Sequence, residues 1–233
     1  FNEKIRIERM QRATGRTLIP PLRVVTRAMF NPNLESRNFY VPGVIAILVM
    51  LITLLLSSMA VVREKEIGTI EQIIVTPITQ LEFIMGKTVP FVLIAFLDVV
   101  IVTVLAVFWF DIPIRGSFFL LLGATALFLM TTIGVGLLIS TVSGTQQQAM
   151  MTTFFYFFPA ILLSGFIFPI ANMPTVVQWF TYVNPLRYFL VIVRGIFLKG
   201  IGPSVLWSQM LSLFILGAAT LLFAASRFRK TLT

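Results

Sequence analysis

Nine carboxylates, no histidine and no cysteine set the chemical repertoire of this 233-residue chain. Without His or Cys there is no disulfide, no thiol chemistry, and neither the commonest general base nor the commonest metal ligand. A nucleophile–base pair of the usual kind cannot be assembled. Asp98 is the sharpest single residue. It falls about nine residues into a long apolar run, where an acid costs roughly 2.5–3.5 kcal/mol to insert and must face protein or water. It could act as a proton relay or a substrate-pathway group, or it could be a structural contact to Ser or Thr on a neighbouring span. A lone acid with no embedded Lys, Arg or His makes a poor relay, which favours the structural contact. An intramembrane enzyme using Asp98 would need a second embedded acid or a metal ligand, and the apolar segments supply neither. Glu64, Glu66 and Glu71 are the one cluster in which two carboxylates could work as a hydrolytic pair, but a solvated helix face is the better reading. Gly86-Lys87-Thr88 ends like the phosphate-binding pattern GxxxxGK[ST]. Position 81 is Leu, however, no strand precedes it and an apolar run follows, so it is not a nucleotide site.

The elements that must position these residues are membrane helices. The chain is 58% hydrophobic and 12% charged, with a mean hydropathy of +0.96, where a soluble domain carries about 25% charged residues. Five apolar segments, at about 40–62, 89–110, 117–140, 149–170 and 205–226, each approach the ~20 residues that cross a bilayer as a helix. Continuous runs of this length exclude spanning strands. The expected fold is therefore all-α with five transmembrane helices. Residues 111–116 make a tight turn between the second and third spans. Pro159 and Gly165 interrupt the fourth span and leave room for a bend, and Gly134 and Gly136 on the third allow close helix approach. Residues 171–204 are too polar for a normal span and too apolar for a solvated loop. Val176, Val177, Phe180 and Val183 recur at helical spacing, Asn184-Pro185 breaks the run, and a second run from Tyr188 to Leu198 contains Arg194. With Trp179, Tyr182 and Tyr188 as interfacial aromatics, this predicts two short helices at, or dipping into, the membrane surface.

The longest charged interruption is residues 63–87, which hold four of the nine acids. Ile67, Ile70, Ile73 and Ile74 make one apolar face. Thr76-Pro77 ends that helix, and Pro77 or the Thr79-x-x-Glu82 capping box starts the next. The pattern predicts an amphipathic helix along the membrane, a break, then a climb into the second span. Residues 1–38 are polar, carry eight Lys/Arg against three acids, and read as the end of an extracytoplasmic region or an amphipathic helix. The chain starts at Phe1 without a Met or a signal-like region, as expected of a fragment. The net charge of +9 reflects topology and anionic lipid rather than nucleic acid. Five spans place twelve Lys/Arg on the side of 1–38, 111–116 and 171–204 and six on the other. Once the long region 1–38 is set aside the counts are four and six, which does not fix the orientation.

Three places carry a family resemblance. They are Phe30-Asn31-Pro32 with Ser36-Arg37-Asn38-Phe39 and Val41-Pro42-Gly43; Arg63-Glu64-Lys65-Glu66-x-Gly68-Thr69-x-Glu71-Gln72 with Thr76-Pro77-Ile78 and Gly86-Lys87; and Met173-Pro174 with Asn184-Pro185-x-Arg187-Tyr188 and Gly195. In order over residues 30–200, these resemble the permease subunits of type-2 ABC transporters, whose fold the ABCG exporters share. Over 1–29 only the general placement carries over. The resemblance implies six spans in the full permease, with the first span and most of an extracytoplasmic domain upstream of Phe1. Residues 39–233 would then be the transmembrane domain, with a cytosolic coupling segment at 63–87 and outer helices within 174–198. It implies a bacterial cytoplasmic (inner) membrane protein that works as a homodimer or heterodimer, contacts membrane lipid and binds two ABC ATPase subunits. Periplasmic or outer-membrane components are further candidate partners. ATP and Mg would sit on the ATPases, with no cofactor or catalysis in this chain. It assigns Arg63, Glu64, Glu66, Glu71 and Lys87 to the ATPase-facing contact or its salt-bridge frame, and Gly68 and Thr69 to close backbone approach. Pro77 and Glu82 fall in the same coupling segment. Pro174, Asn184, Pro185, Arg187, Tyr188 and Arg194 would form the outer gate. The implied activity is ATP-driven export by alternating access, with drugs, lipids, polysaccharides and peptides all open as cargo. A proton-coupled transporter or an intramembrane enzyme using Asp98 is the alternative.

Overall fold

The computed structural model describes residues 36–68 and 80–231, and among these no strand occurs. The order is α1 (Ser36–Ile67), α2 (Gln80–Phe108), α3 (Phe118–Val142), α4 (Gln146–Leu162), a 3₁₀ turn at Ile170–Asn172, α5 (Thr175–Thr181), α6 (Pro185–Arg194) and α7 (Pro203–Thr231). A π turn at Gly195–Lys199 continues α6. Among the described residues four helices carry stretches long and apolar enough to cross a bilayer: Asn38–Ile67, Met85–Phe108, Phe118–Val142 and Pro203–Arg227. A helix is the solution hydrocarbon enforces, because it pairs every interior N–H and C=O within one segment.

The expected fourth span at 149–170 differs. Its helix begins earlier, capped by the Thr145 side chain, which accepts from the Gln148 N–H at 3.2 Å, and it ends at Leu162. The chain then turns through Ser164 and Gly165 (φ 80°). Pro159 is accommodated inside the helix, so the stop comes from this turn rather than from the proline. At 17 residues α4 is about 25 Å long, less than the ~30 Å of hydrocarbon.

α1 and α3 form the centre. Within their apolar stretches 56% and 50% of residues are buried, against 22% for α2 and 17% for α7, so the latter two are peripheral. Close packing at the centre is made by small residues. A Cβ added at Gly134 would lie 2.9 Å from the Thr220 Cβ of α7, and one at Gly136 would lie 2.8 Å from the Ser57 Cβ of α1. These glycines face opposite sides of α3 and seat it against both neighbours. Several buried hydroxyls along the helices are satisfied within their own backbone. Thr53 donates to the Val49 carbonyl at 2.5 Å, Thr125 to Leu121 at 2.8 Å and Thr153 to Ala149 at 2.8 Å, so these three carry no unmet bond into the apolar interior. The buried Thr103 hydroxyl of α2, by contrast, has no hydrogen-bond partner among the described residues.

Candidate functional site

The polar end formed by α1, α2 and α4 is where the sequence places its charged connector. Residues 63–67 do not begin a separate surface helix. They are the last turn of α1, which at 32 residues is about 48 Å long and so outruns the hydrocarbon. Gly68 ends it: at φ 79° it occupies the left-handed position that glycine adopts without penalty, and its N–H bonds the Lys65 carbonyl at 3.2 Å. Thr69, Glu71 and Pro77, with the rest of the predicted isoleucine face, lie outside the described residues. The chain re-enters as α2 at Gln80, where the Thr79-x-x-Glu82 pattern placed a helix start ahead of the apolar segment, with Glu82 exposed in the first turn, where a carboxylate suits the helix dipole. Gly86-Lys87-Thr88 lies inside α2, not in a strand-to-helix loop that could cradle phosphate.

Around this end the side chains tie four helices together. Glu64, on α1, pairs with the Lys87 ammonium of α2. Glu66 accepts from the Gln146 backbone N–H at 3.2 Å and from its side-chain amide at 2.8 Å, joining α1 to the start of α4. Lys65 donates to the Thr141 carbonyl at the end of α3 at 3.3 Å. The Ser140 hydroxyl accepts from the Val61 and Val62 N–H groups at 3.2 and 3.1 Å. Arg63 is exposed and, with Met59, Lys87, Phe91 and Gln146, lines a cavity of about 190 Å³. Of the predicted coupling residues, Arg63, Glu64, Glu66, Gly68 and Lys87 converge here. Gln146 and Ser140 were missed. Their signal was the short uncharged link 141–148, whose Thr145-to-Gln148 spacing marks a helix start.

At the opposite end the two short helices behave differently from each other. α5 is exposed along its apolar residues (Val176, Trp179 and Phe180 at 66–73%). α6 is not a surface helix: Leu186, Phe189, Leu190, Ile192 and Val193 are fully buried, and it packs among α1, α3 and α7. Phe189 stacks on Phe128 of α3 with ring centroids 4.2 Å apart. Asn184 sits at the corner and serves two helices. Its Oδ1 accepts the Leu186 N–H at 3.1 Å, capping α6 ahead of Pro185 at the first helical position. Its Nδ2 donates to the Ala160 carbonyl at 2.6 Å, satisfying an acceptor at the end of α4. Pro174 precedes α5 and its carbonyl takes the Gln178 N–H at 3.1 Å. Arg187 donates to the Thr181 hydroxyl and lies 4.2 Å above the Tyr182 ring, while Tyr188 donates to the Tyr182 carbonyl at 2.8 Å. The five residues 184, 185, 187, 188 and 194 cluster on one short stretch. Arg194 is held over the Phe39 ring at 3.7 Å, and burial lowers its pKa from the usual value, opposed by Tyr40.

Asp98 is half-buried on α2 and joins neither end. Its Oδ2 has no hydrogen-bond partner, so the expected contact to a neighbouring Ser or Thr is not made by that atom. Among the described residues no group of three or more acids, His or Cys could hold a metal.

The chain matches the family model described as "ABC-2 type transporter" over residues 14–198. It is 38% identical over 228 residues to the probable multidrug ABC transporter permease YbhS of Escherichia coli K12, covering 97% of this chain and 60% of that protein. It is 36% identical over 207 residues to the probable multidrug ABC transporter permease YbhR of the same organism, covering 89% of this chain and 56% of that one. It also matches ABC transporter G family member 20 of Dictyostelium discoideum at 24% over 183 residues, 78% of this chain and 25% of that protein. The chain thus spans less than two thirds of the length of these relatives. It belongs to the ABC-2 type transporter family, as a membrane-spanning permease.

Proposed function

We propose that this chain is the greater part of the membrane domain of an ATP-driven exporter, with ATP hydrolysed on separate ABC ATPase subunits and two permease copies forming the pathway. In this reading α4 is the fourth of five spans in this chain, made short by its bend, and the family's sixth lies upstream. The site sits in a bacterial inner membrane. The 63–87 end faces the cytosol, and the 171–204 end faces outward. One observation supports the force-entry role best: the end of α1 that leads into the connector is bonded to α2 through Glu64–Lys87 and to α4 through Glu66–Gln146. A displacement applied to the connector would therefore move three helices together, as rigid-body switching requires. Multidrug or lipid-like cargo is the substrate class we assign, following the names of the bacterial relatives and the apolar, Phe-rich spans.

The test is Glu66→Lys in the full-length permease, reconstituted with its ATPase subunit in vesicles. The variant inserts and still supports ATP hydrolysis, but export per ATP falls at least about tenfold, a loss of roughly 1.4 kcal/mol of coupling. Export equal to wild type overturns the coupling role. A proton-coupled transporter is the second reading, favoured by the partnerless Asp98 oxygen. Transport driven by a pH gradient with no ATPase present, and lost in Asp98→Asn, would establish it in place of the first.

A further inference from the structure

Arg194 poses a question the family assignment does not answer. Its Nη1 donates to the Gly165 carbonyl at 3.3 Å, but its Nε and Nη2 are buried with no hydrogen-bond partner among the described residues. The Phe39 and Phe166 rings take up part of its charge, at 3.7 and 5.9 Å, yet a ring face does not replace the acceptors that a guanidinium fork is built to bind. A buried cation with unmet N–H groups is strongly destabilising unless an acceptor arrives from elsewhere.

Beside it lies a cavity of about 350 Å³, where the end of α6 and the π turn meet the first two turns of α7. Its polar lining is Arg194, Lys199 and Gln209, and the remainder is apolar, including Val191, Leu198 and the exposed Val205. Among the described residues no carboxylate lines it. Among the described residues the acid at this end of the bundle is Asp111, in the turn after α2, against Arg115, Arg187, Arg194 and Lys199. The turn is placed here by the bonds from the Arg115 and Gly116 N–H groups to the Phe197 and Ile196 carbonyls, at 3.4 and 2.9 Å. Two cations and an amide donor beside an apolar wall, at the margin of membrane-crossing helices, make a site for a phosphate group attached to a hydrocarbon tail. The guanidinium fork suits phosphate oxygens.

We propose that the cavity at Arg194 binds an anionic phospholipid, its phosphate on Arg194 and Lys199 and its acyl chain along Val191, Leu198 and Val205. The same phosphate chemistry could be met by free inorganic phosphate, and the test separates the two sources.

The full-length permease is reconstituted in nanodiscs of phosphatidylcholine with and without phosphatidylglycerol, then washed in detergent, and the lipid retained per chain is counted by mass spectrometry. Wild type keeps phosphatidylglycerol in preference to phosphatidylcholine, and added inorganic phosphate does not displace it. Arg194→Gln lowers that retention about tenfold, the scale of one charge-assisted bond, and Arg115→Gln, at the same end but outside the cavity, leaves it unchanged. Val205→Glu sets a carboxylate at the exposed lip without disturbing the core and gives the same loss, which keeps the test valid if Arg194→Gln does not insert. Displacement by inorganic phosphate alone would assign the site to a free anion and overturn the lipid. Equal retention of both lipids by wild type, or retention unaffected by both cavity variants, would overturn the site altogether.

Discussion

The two polar ends of this bundle handle charge in opposite ways. Where α1, α2 and α4 meet, carboxylates take part: Glu64 with Lys87 and Glu66 with Gln146, on partly exposed side chains. Where α4, α5 and α6 meet, the bonded side chains are cations, hydroxyls and amides. Arg187, Arg194 and Asn184 are held by a hydroxyl, backbone carbonyls and aromatic rings. Water-screened ion pairs contribute little to stability and exchange easily, whereas buried bonds to fixed carbonyls are costly to lose. The first end is suited to rearrangement and the second to holding a shape.

That contrast can be broken, beginning with the largest effect. Phe189→Ala removes a fully buried ring stacked on Phe128 and should destabilise by about 3–5 kcal/mol, read as thermal unfolding in detergent. A loss below about 1 kcal/mol would mean that α6 is not an integral part of the core. Asn184→Ala leaves the Ala160 carbonyl and the Leu186 N–H unmet and should lower stability by about 2–3 kcal/mol. Asn184→Asp keeps the acceptor and loses the donor, so it should recover part of that loss in the same assay. At the other end, a double-mutant cycle on Glu64→Gln and Lys87→Gln should give a coupling of about 0.5 kcal/mol that fades in high salt. A salt-independent coupling above about 2 kcal/mol would erase the difference between the ends. The smallest effect is expected for Phe180→Ala on exposed α5, within about 0.5 kcal/mol.

The helical class and the long apolar runs were legible because bilayer thickness turns length into a structural signal. Segment ends were less so. The last turn of α1 is written in charged residues, Arg63 to Glu66, and it reads as a new element only if one assumes that a span stops where the hydrocarbon does. The end of α4 was half legible: of the two interruptions read from the sequence, Gly165 lies in the turn that makes the break, while Pro159 stays inside the helix. Whether α6 lies at the surface or dips inward stayed open for a related reason. Leu186, Phe189, Leu190 and Val193 stand at i, i+3, i+4 and i+7, a core stripe, but Arg187, Tyr188 and Arg194 around them suggested a surface. The dual role of Asn184 could not have been found from sequence, since its partner Ala160 is 24 residues away and bonds through the backbone. Among the candidate residues, types and neighbourhoods were readable, while partners contributed by other helices were not.

α4 is pinned at both extremities. Gln146 at its start is held to α1 by Glu66, and Ala160 near its finish is held to the head of α6 by Asn184. A stiff rod about 25 Å long, hinged to a different neighbour at each tip, cannot swing at one tip without dragging the other. A shift of α4 along its axis would therefore be met at both corners, beside Glu66 and under α5 and α6.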